Sequence, residues 1–130
     1  MEYVHQVRVR YGECDMQKVV FNAHYMAYCD DAVDNWFRAV LAPDGSGFEA
    51  LGFDFMLKKC AITWDAPLVF GETGDLACSV SRWGQASFDV LITGTAHGEP
   101  RFTADITYVS VTPGQNRPAR IPDFVRERLG

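Results

Sequence analysis

The stretch that decides the fold is Tyr11-Gly12-Glu13-Cys14-Asp15-Met16-Gln17-Lys18-Val19-Val20-Phe21-Asn22-Ala23-His24-Tyr25, which joins a strand pattern to a helix pattern. Its loop holds Asp15 a few residues before the helix. Backbone N–H groups in a helix's first turn lack intrahelical acceptors, so those of Asn22, Ala23 and His24 can bind a developing oxyanion. A carboxylate beside them can act as base or nucleophile. On the pattern alone, the more common role of such an aspartate is structural, as a cap or an ion-pair partner.

The pattern after this stretch predicts a helix over residues 22–40, because apolar side chains recur there at steps of three and four. The stripe contains Tyr25, Tyr28, Cys29, Ala32, Trp36, Ala39 and Val40. Asn22 is a favourable N-cap type, and the Pro-Asp-Gly sequence at residues 43–45 ends the helix. Since the stripe is wide and bulky, we expect most of the helix to be wrapped by other elements.

Alternation of polar and apolar residues predicts five strands around this helix. They cover residues 3–11, 58–65, 75–82, 86–95 and 101–111. Short connections at residues 83–85 and 97–100 indicate antiparallel hairpins, and a short helix is expected over residues 123–129. The class is therefore α+β. One helix covers only one face of such a sheet, so the other face or an edge must be solvated or meet a second copy.

Composition excludes several classes of function. The chain has 130 residues, 48% of them hydrophobic, which predicts one domain over residues 1–130. A formal net charge of −5 argues against nucleic-acid binding, and no apolar run approaches a membrane span. Residues 1–10 lack the apolar core of a signal peptide, and the four cysteines show no C-x-x-C or zinc-like spacing. We therefore expect a cytoplasmic protein with free thiols and no metal.

Particular residues of the deciding stretch resemble a known family. Its members carry aromatic-Gly-acidic-x-Asp at a strand end, then Gly-hydrophobic-Val, an aromatic residue and Asn-Tyr on the helix. The matching residues here are Tyr11, Gly12, Glu13, Asp15, Val19, Val20, Phe21 and Tyr25. This pattern resembles the 4-hydroxybenzoyl-CoA thioesterase-like branch of the hotdog-fold acyl-CoA thioesterases. The order of strands and helix agrees along essentially the whole chain, including the features at residues 65–67 and 82–87.

The resemblance implies a hotdog fold, in which a five-stranded curved antiparallel sheet wraps around one long central helix. It implies dimers joined sheet to sheet, often paired into tetramers, with active sites at the dimer interface. The family's essential aspartate falls on Asp15, as nucleophile or as general base for the hydrolysis of an acyl- or aroyl-CoA without a cofactor. The thioester carbonyl would point at the N–H groups near residues 22–24, and Tyr25 would shape the acyl pocket.

Two positions depart from the family pattern. The usual glycine three residues after the aspartate is Lys18, which would lie at the pocket entrance and either attract an anionic acyl group, narrow the pocket or stay solvated. A glycine there suggests a positive φ or a close approach. Asn22 and His24 stand where many members carry His and Asn, so side-chain roles for both are open. His24 either orients substrate or faces solvent.

The CoA phosphates need basic partners. The resemblance favours basic residues near the third-to-fourth hairpin and the last strand as the nucleotide site. That choice selects Arg82, Ser87, Arg117 and Arg120 as CoA-binding residues, with Lys58, Lys59 and Arg101 as further basic candidates.

Three other side chains compete for a catalytic role. Asp30 and Asp31 lie on the predicted helix, where a structural ion pair or hydrogen bond is the commoner outcome. Cys14 beside His24 would be a different nucleophile.

Two rival functions stay open. One is a non-catalytic acyl-CoA-binding module, suggested by Lys18. The other is a hotdog hydratase or dehydratase, against which the Asp15 loop argues because those enzymes place an Asp–His pair on a differently spaced loop and helix.

Overall fold

The computed structural model describes residues 2–130, so Met1 of the predicted domain lies outside the described residues. The chain order is β1 (Tyr3–Arg8), a 3-10 turn (Tyr11–Glu13), α1 (His24–Leu41), α2 (Phe48–Leu51), β2 (Asp54–Trp64), β3 (Thr73–Trp83), β4 (Ser87–Ala96), β5 (Glu99–Val111) and α3 (Asp123–Leu129). All five predicted strands and both predicted helices are present.

The strands form one antiparallel sheet in the order β1-β3-β4-β5-β2. The strand bounds differ from the sequence prediction by one or two residues at most ends, and three differences have a clear cause. β1 stops at Arg8 because the Val9 N–H bonds to the Glu72 carbonyl, 2.8 Å away, in the β2–β3 connection. β2 begins at Asp54 and crosses a register shift between Leu57 and Lys59. β5 begins at Glu99, because the β4–β5 loop is only the two residues 97 and 98, both with positive φ, as a tight hairpin requires.

Helix α1 starts two residues later than predicted. It begins at His24 with Ala23 as N-cap, and no side chain caps it, so the prediction of Asn22 as N-cap is wrong. The reason is a preceding turn, in which the His24 N–H donates to the Phe21 carbonyl and the Tyr25 N–H to the Asn22 carbonyl, at 2.9 and 3.3 Å.

The core lies between α1 and the inner face of the sheet. On α1 the buried residues are Tyr25, Tyr28, Cys29, Ala32, Val33, Trp36, Phe37 and Leu41. Facing them are Leu76, Cys78, Phe88, Val90, Ile92, Phe102, Ala104, Ile106 and Tyr108, all at most 2% exposed. Ala39, expected in the helix stripe, is exposed. A curved sheet wrapped around a long helix is the hotdog fold that the resemblance implied.

The structure also shows the state of the cysteines and allows a search for membrane-spanning helices and metal ligands. All four cysteines are free thiols, with Cys29 and Cys78 buried in the core. Within residues 2–130, no helix is both long and apolar enough to cross a bilayer, and no cluster of three or more His, Cys, Asp or Glu could hold a metal ion.

Candidate active site

Asp15 opens a tight turn over residues 15–19, called here the Asp15 turn. The Lys18 N–H donates to the Asp15 carbonyl, and the Asp15 N–H donates to the Val19 carbonyl, both at 3.0 Å. The carboxylate Oδ1 of Asp15 accepts the Gln17 N–H at 2.8 Å. An aspartate at the first turn position commonly makes this contact. The structural role expected from the pattern is therefore real, and it uses one carboxylate oxygen of an exposed side chain.

Lys18 explains why the family carries glycine at its position. Its φ is +64°, the left-handed conformation that side chains with a Cβ adopt at a cost. The left-handed residue lets the chain return from the turn, so that Cys14 and Val20 form an antiparallel bridge. Lys18 thus keeps the turn geometry without glycine. Its side chain is exposed and forms no ion pair with the described residues.

The β2–β3 connection supports the Asp15 turn. We call residues 66–72 the anchor segment. The Val20 N–H donates to the Leu68 carbonyl at 2.9 Å, and the Phe70 N–H donates to the Lys18 carbonyl at 3.1 Å. Val19 and Val69 form a further antiparallel bridge. The Asp15 turn is therefore attached to the anchor segment through its second arm, residues 18–20.

The start of α1 lies directly after the Asp15 turn. Among the described residues, no acceptor is found for the backbone N–H groups of Asn22 and Ala23, whereas the His24 N–H already binds the Phe21 carbonyl. The oxyanion donors suggested by the sequence are thus reduced to two. The His24 ring is half-buried and meets the Phe21 ring edge-on, with centroids 6.3 Å apart.

Tyr25 is enclosed in the structure, at 1% exposure. Its hydroxyl accepts the Leu68 N–H at 2.9 Å, so it holds the anchor segment. Its ring contacts Trp64 and Phe102 edge-on, with centroids 5.4 and 5.1 Å away. Burial raises the pKa of the Tyr25 hydroxyl, which is therefore neutral near pH 7. Tyr25 contributes a wall to the site.

Two neighbouring grooves lie at this end of the sheet. The first, of about 670 Å³, is lined by Tyr11, Gly12, Cys14, Asp15, Met16, Lys18 and Phe70. The second, of about 340 Å³, is lined by Val19, Val20, Asn22, Tyr25, Trp64, Asp65, Ala66 and Pro67. Within one chain, Asp15 and Asn22 therefore line different grooves, whose walls contain the consecutive residues Lys18 and Val19.

Glu13 supports the loop that carries Asp15, whereas the sequence analysis treated it only as part of the motif. Its carboxylate accepts hydrogen bonds from the Arg10 N–H, the Arg10 guanidinium and the Tyr28 hydroxyl, the first and last at 2.8 Å. Partial burial opposes the charged form, but these hydrogen bonds prevail and lower the pKa of Glu13. The charged Glu13 ties the Asp15 loop to α1.

The CoA-binding candidates lie at the other end of the sheet. Arg82 donates to both carboxylate oxygens of Asp89, at 2.8 and 3.2 Å, and to the Ser87 hydroxyl at 3.0 Å. The chain end packs beside this hairpin, because the Ile121 N–H donates to the Gln85 carbonyl at 2.9 Å. Arg117 and Arg120 in that segment are exposed.

Arg126 was missed by sequence reasoning at this end, although it forms part of the same basic group. Its guanidinium donates to the Gly84 carbonyl and lies over the Trp83 ring, 5.5 Å from the centroid. A signal was available, because Arg126 and Arg128 end the predicted terminal helix next to an exposed basic tail. We call Arg82, Ser87, Arg117, Arg120 and Arg126 together the Arg82 end.

Asp15 and the Arg82 end do not meet within one chain. The anchor segment precedes β3 at Thr73, and Arg82 lies next to its other end at Trp83. A strand rises about 3.3 Å per residue, so the 11 residues of β3 separate the two regions by about 30 Å. Arg101, another basic candidate, is only 8% exposed and bound to Glu72, so the prediction of a phosphate contact there is wrong.

The other candidates for a catalytic role were Asp31, Asp30 and Cys14. The Asp31 carboxylate binds His5 at 3.0 Å and also accepts from Asn35, a structural role. Burial raises the pKa of Asp30. The Cys14 thiol donates to the Arg10 carbonyl, and burial together with the charges of Glu13 and Asp15 raises its pKa. A Cys14 thiolate nucleophile is therefore disfavoured.

Comparison with known proteins identifies the class. The family model of the thioesterase-like superfamily matches residues 9–129, and the chain belongs to this superfamily. No curated protein sequence matches it significantly.

Solved structures share the fold. A thioesterase-superfamily structure from Jannaschia sp. CCS1 has a TM-score of 0.90 at 22% identity, covering 98% of this chain and 90% of the other. The 1,4-dihydroxy-2-naphthoyl-CoA thioesterase Slr0204 from Synechocystis has a TM-score of 0.82 at 14% identity, over 99% and 96%. The hypothetical protein SAV2348 from Staphylococcus aureus, solved in complex with CoA, has a TM-score of 0.85 at 14% identity, over 98% and 81%.

Proposed function

We propose that the protein hydrolyses an acyl- or aroyl-CoA thioester to the free acid and CoA, with Asp15 as the catalytic carboxylate. The observation that carries this proposal is the order of parts at one end of the sheet. A fixed turn presents Asp15 with Oδ1 bonded to the Gln17 N–H. Seven residues later comes a helix start with two N–H groups for which residues 2–130 provide no acceptor. Superfamily membership and the CoA-bound relative support the substrate class.

Asp15 can promote hydrolysis by either of two routes, as a general base or as a nucleophile. As a general base, Asp15 takes a proton from water while the water oxygen bonds to the carbonyl carbon; the C–S bond then breaks and the thiolate takes up a proton. As a nucleophile, Asp15 bonds to the carbonyl carbon and expels CoA, and water cleaves the resulting mixed anhydride. In both routes the carbonyl oxygen becomes negative. The N–H groups of Asn22 and Ala23 are the donors we assign to it.

A second copy of the chain completes this site in our proposal. Asp15 and the Arg82 end are about 30 Å apart along β3, so one chain does not present both to one thioester. β2 is a free edge of the sheet and exposes Met56, Leu57 and Trp64. A two-fold axis that pairs the sheets at this edge reverses one of them. Arg82 of the partner subunit then lies on the same side as Asp15.

In the proposed dimer, the basic side chains of the Arg82 end bind the CoA phosphates. Arg117 and Arg120 are exposed, and Arg82 and Arg126 keep fixed positions beside the hairpin. Forked guanidinium groups suit phosphate oxygens. The apolar groove lined by Trp64 and Tyr25 would take the acyl group. Lys18 borders the neighbouring groove and is the proposed entrance residue.

Free-thiol release from aliphatic and aromatic acyl-CoAs tests the proposal. The wild type should release CoA, and Asp15→Asn should not, because the amide oxygen keeps the Gln17 contact but cannot act as base or nucleophile. Asp44→Asn is the matched control, since the Asp44 Oδ1 makes the same contact with an N–H two residues on, at 3.0 Å. Tight ester binding without release by the wild type would instead indicate a binding module, and hydration of an unsaturated acyl-CoA would indicate a hydratase.

A further inference from the structure

Arg101 and Glu72 form a buried clamp behind the anchor segment. Their side chains are 10% and 15% exposed. Two parallel hydrogen bonds join the guanidinium to the carboxylate, at 2.7 and 2.8 Å. The same guanidinium also donates to the Pro67 carbonyl at 2.8 Å. One side chain of β5 therefore holds both ends of the anchor segment.

Glu72 is also bound from within the anchor segment. Its Oε1 accepts the Val69 N–H at 2.7 Å, and its Oε2 lies 3.2 Å from Nε2 of His97 in the β4–β5 hairpin. The Glu72 carbonyl accepts the Val9 N–H at 2.8 Å. The position of this one residue thus determines the path of residues 67–72.

The backbone groups that hold the Asp15 turn belong to this same segment, residues 67–72. The carbonyl of Leu68 accepts the Val20 N–H, and the Phe70 N–H donates to Lys18, which occupies the strained left-handed position. The opposite side of Leu68 is held by the Tyr25 hydroxyl. A displaced anchor segment would therefore shift the turn and the α1 start relative to each other.

We propose that Arg101 and Glu72 are positioning residues of the reaction, which set the distance between the Asp15 carboxylate and the oxyanion donors at the start of α1. This inference rests on the proposed function. Neither side chain touches the reacting atoms, since both lie behind the anchor segment. Their effect is on the geometry of the chemical step and not on CoA binding, which we assign to the other end of the sheet.

Glu72→Gln and Arg101→Lys test the clamp, because the first removes the charge and the second removes the fork. In both we expect kcat to fall about 10-fold to 100-fold at a KM within twofold of wild type, the size that a small misplacement of reacting groups produces. Hydrogen exchange of the Lys18, Val20 and Phe70 amides should accelerate at least about 10-fold more than exchange of the core amides in β4. Asp34→Asn, which breaks an exposed ion pair on α1, should leave both readouts at wild-type values.

Any of three results would overturn the clamp: unchanged exchange in the Asp15 turn, faster exchange there with an unchanged kcat, or an equal acceleration in the Asp15 turn and in β4. In the last case the pair would stabilise only the whole fold and not the turn in particular. A wild type that releases no thiol from any ester refutes the proposed function instead. The exchange measurement would then still decide whether the pair holds the turn.

Discussion

Two arginine–carboxylate pairs at opposite ends of the sheet, Arg101–Glu72 and Arg82–Asp89, differ in burial. At the Asp15 end, Arg101 and Glu72 are 10% and 15% exposed and also bind backbone groups. At the other end, Arg82 and Asp89 are 48% and 20% exposed, and Arg82 additionally holds Ser87. The first pair is enclosed and fixes a backbone path. The second leaves a guanidinium in solvent, beside other exposed arginines.

This difference in burial suits the two ends of the sheet to different tasks. Chemistry at a thioester requires a carboxylate and oxyanion donors at fixed separation, and a buried pair supplies rigidity. Recognition of a flexible nucleotide requires exposed cations, which water and phosphate can reach. In the proposed function, two copies of the chain form one site, because β3 separates the two ends. The predictions below test these points.

Complementation between two defective chains has the largest expected effect. Asp15→Asn should be inactive, and the double variant Arg82→Gln, Arg120→Gln should be weakly active at low substrate concentration. A refolded equal mixture should regain about one quarter of wild-type thiol release, because half the dimers are mixed and each has one intact site. The control mixes Asp15→Asn with a chain carrying all three changes. Recovery in the control, or none in the test, would contradict a shared site.

The two ion pairs should differ in free energy of unfolding. Glu72→Gln should lower it at pH 7 by about 2 kcal/mol, as expected for hydrogen bonds to a charged group. Asp89→Asn should lower it by less than about 1 kcal/mol, because its partner is half exposed and screened by water. Chemical denaturation at low and high salt would measure both. Equal costs, or a stronger salt effect on the Glu72 pair, would contradict the comparison.

The pH dependence of these pairs has a defined sign. The Arg101 hydrogen bonds lower the pKa of Glu72 below 4.5, against its partial burial. Arg82 lowers the pKa of Asp89 below 3.8 in the same way. A lowered folded-state pKa adds stability above the unfolded value, which is lost as the pH falls through the folded pKa. The wild type should therefore lose stability below about pH 4.5, and Glu72→Gln should show a flatter profile there.

Arg82→Gln together with Arg120→Gln should change binding and leave chemistry intact. We expect KM for an acyl-CoA to rise about 10-fold with kcat within twofold, the effect of losing charge-assisted phosphate contacts. A truncated thioester that lacks the nucleotide should be hydrolysed equally by variant and wild type. A fall in kcat at an unchanged KM would place these arginines in the chemical step and would remove the distinction between the two ends.

Local periodicity predicted the five strands and helices α1 and α3, but not the one-turn helix α2. The helix and strands emerged because buried stripes repeat at 3.6 and 2 residues, and the two-residue β4–β5 turn sits inside the predicted connection at residues 97–100. The cap at Asn22 failed for a local reason, because carbonyls of residues 21 and 22 already accept the N–H groups that a side chain would cap. Side-chain preference does not reveal such backbone competition.

The site was predictable in part. The position of Asp15 before a helix follows from the motif, and the left-handed φ of Lys18 agrees with the glycine that the family carries there. The clamp was not predictable, since Arg101 and Glu72 are 29 residues apart and meet only through the register of β5 beside the β2–β3 connection. The same limit applies to the separation between Asp15 and Arg82, which depends on the strand order.

Lys18→Gly should have the smallest effect of these variants. It tests how much the positive φ at residue 18 costs in stability. Glycine adopts positive φ freely, so the free energy of unfolding should rise by about 1 kcal/mol. Asn116→Gly is the matched control near the Arg82 end: its φ is +53°, but asparagine tolerates this conformation, so the gain should be smaller.

Lys18→Gln completes this test, because it removes the ammonium and keeps the strained backbone. If the charge attracts an anionic acyl group, kcat/KM falls for anionic esters in both Lys18 variants and stays constant for neutral ones. If Lys18 is only solvated, thiol release is unchanged in Lys18→Gln while Lys18→Gly remains more stable. A less stable Lys18→Gly would show that the lysine side chain stabilises the turn by more than the backbone strain costs. The exposure of Lys18, and its lack of an ion-pair partner among the described residues, argue against that result.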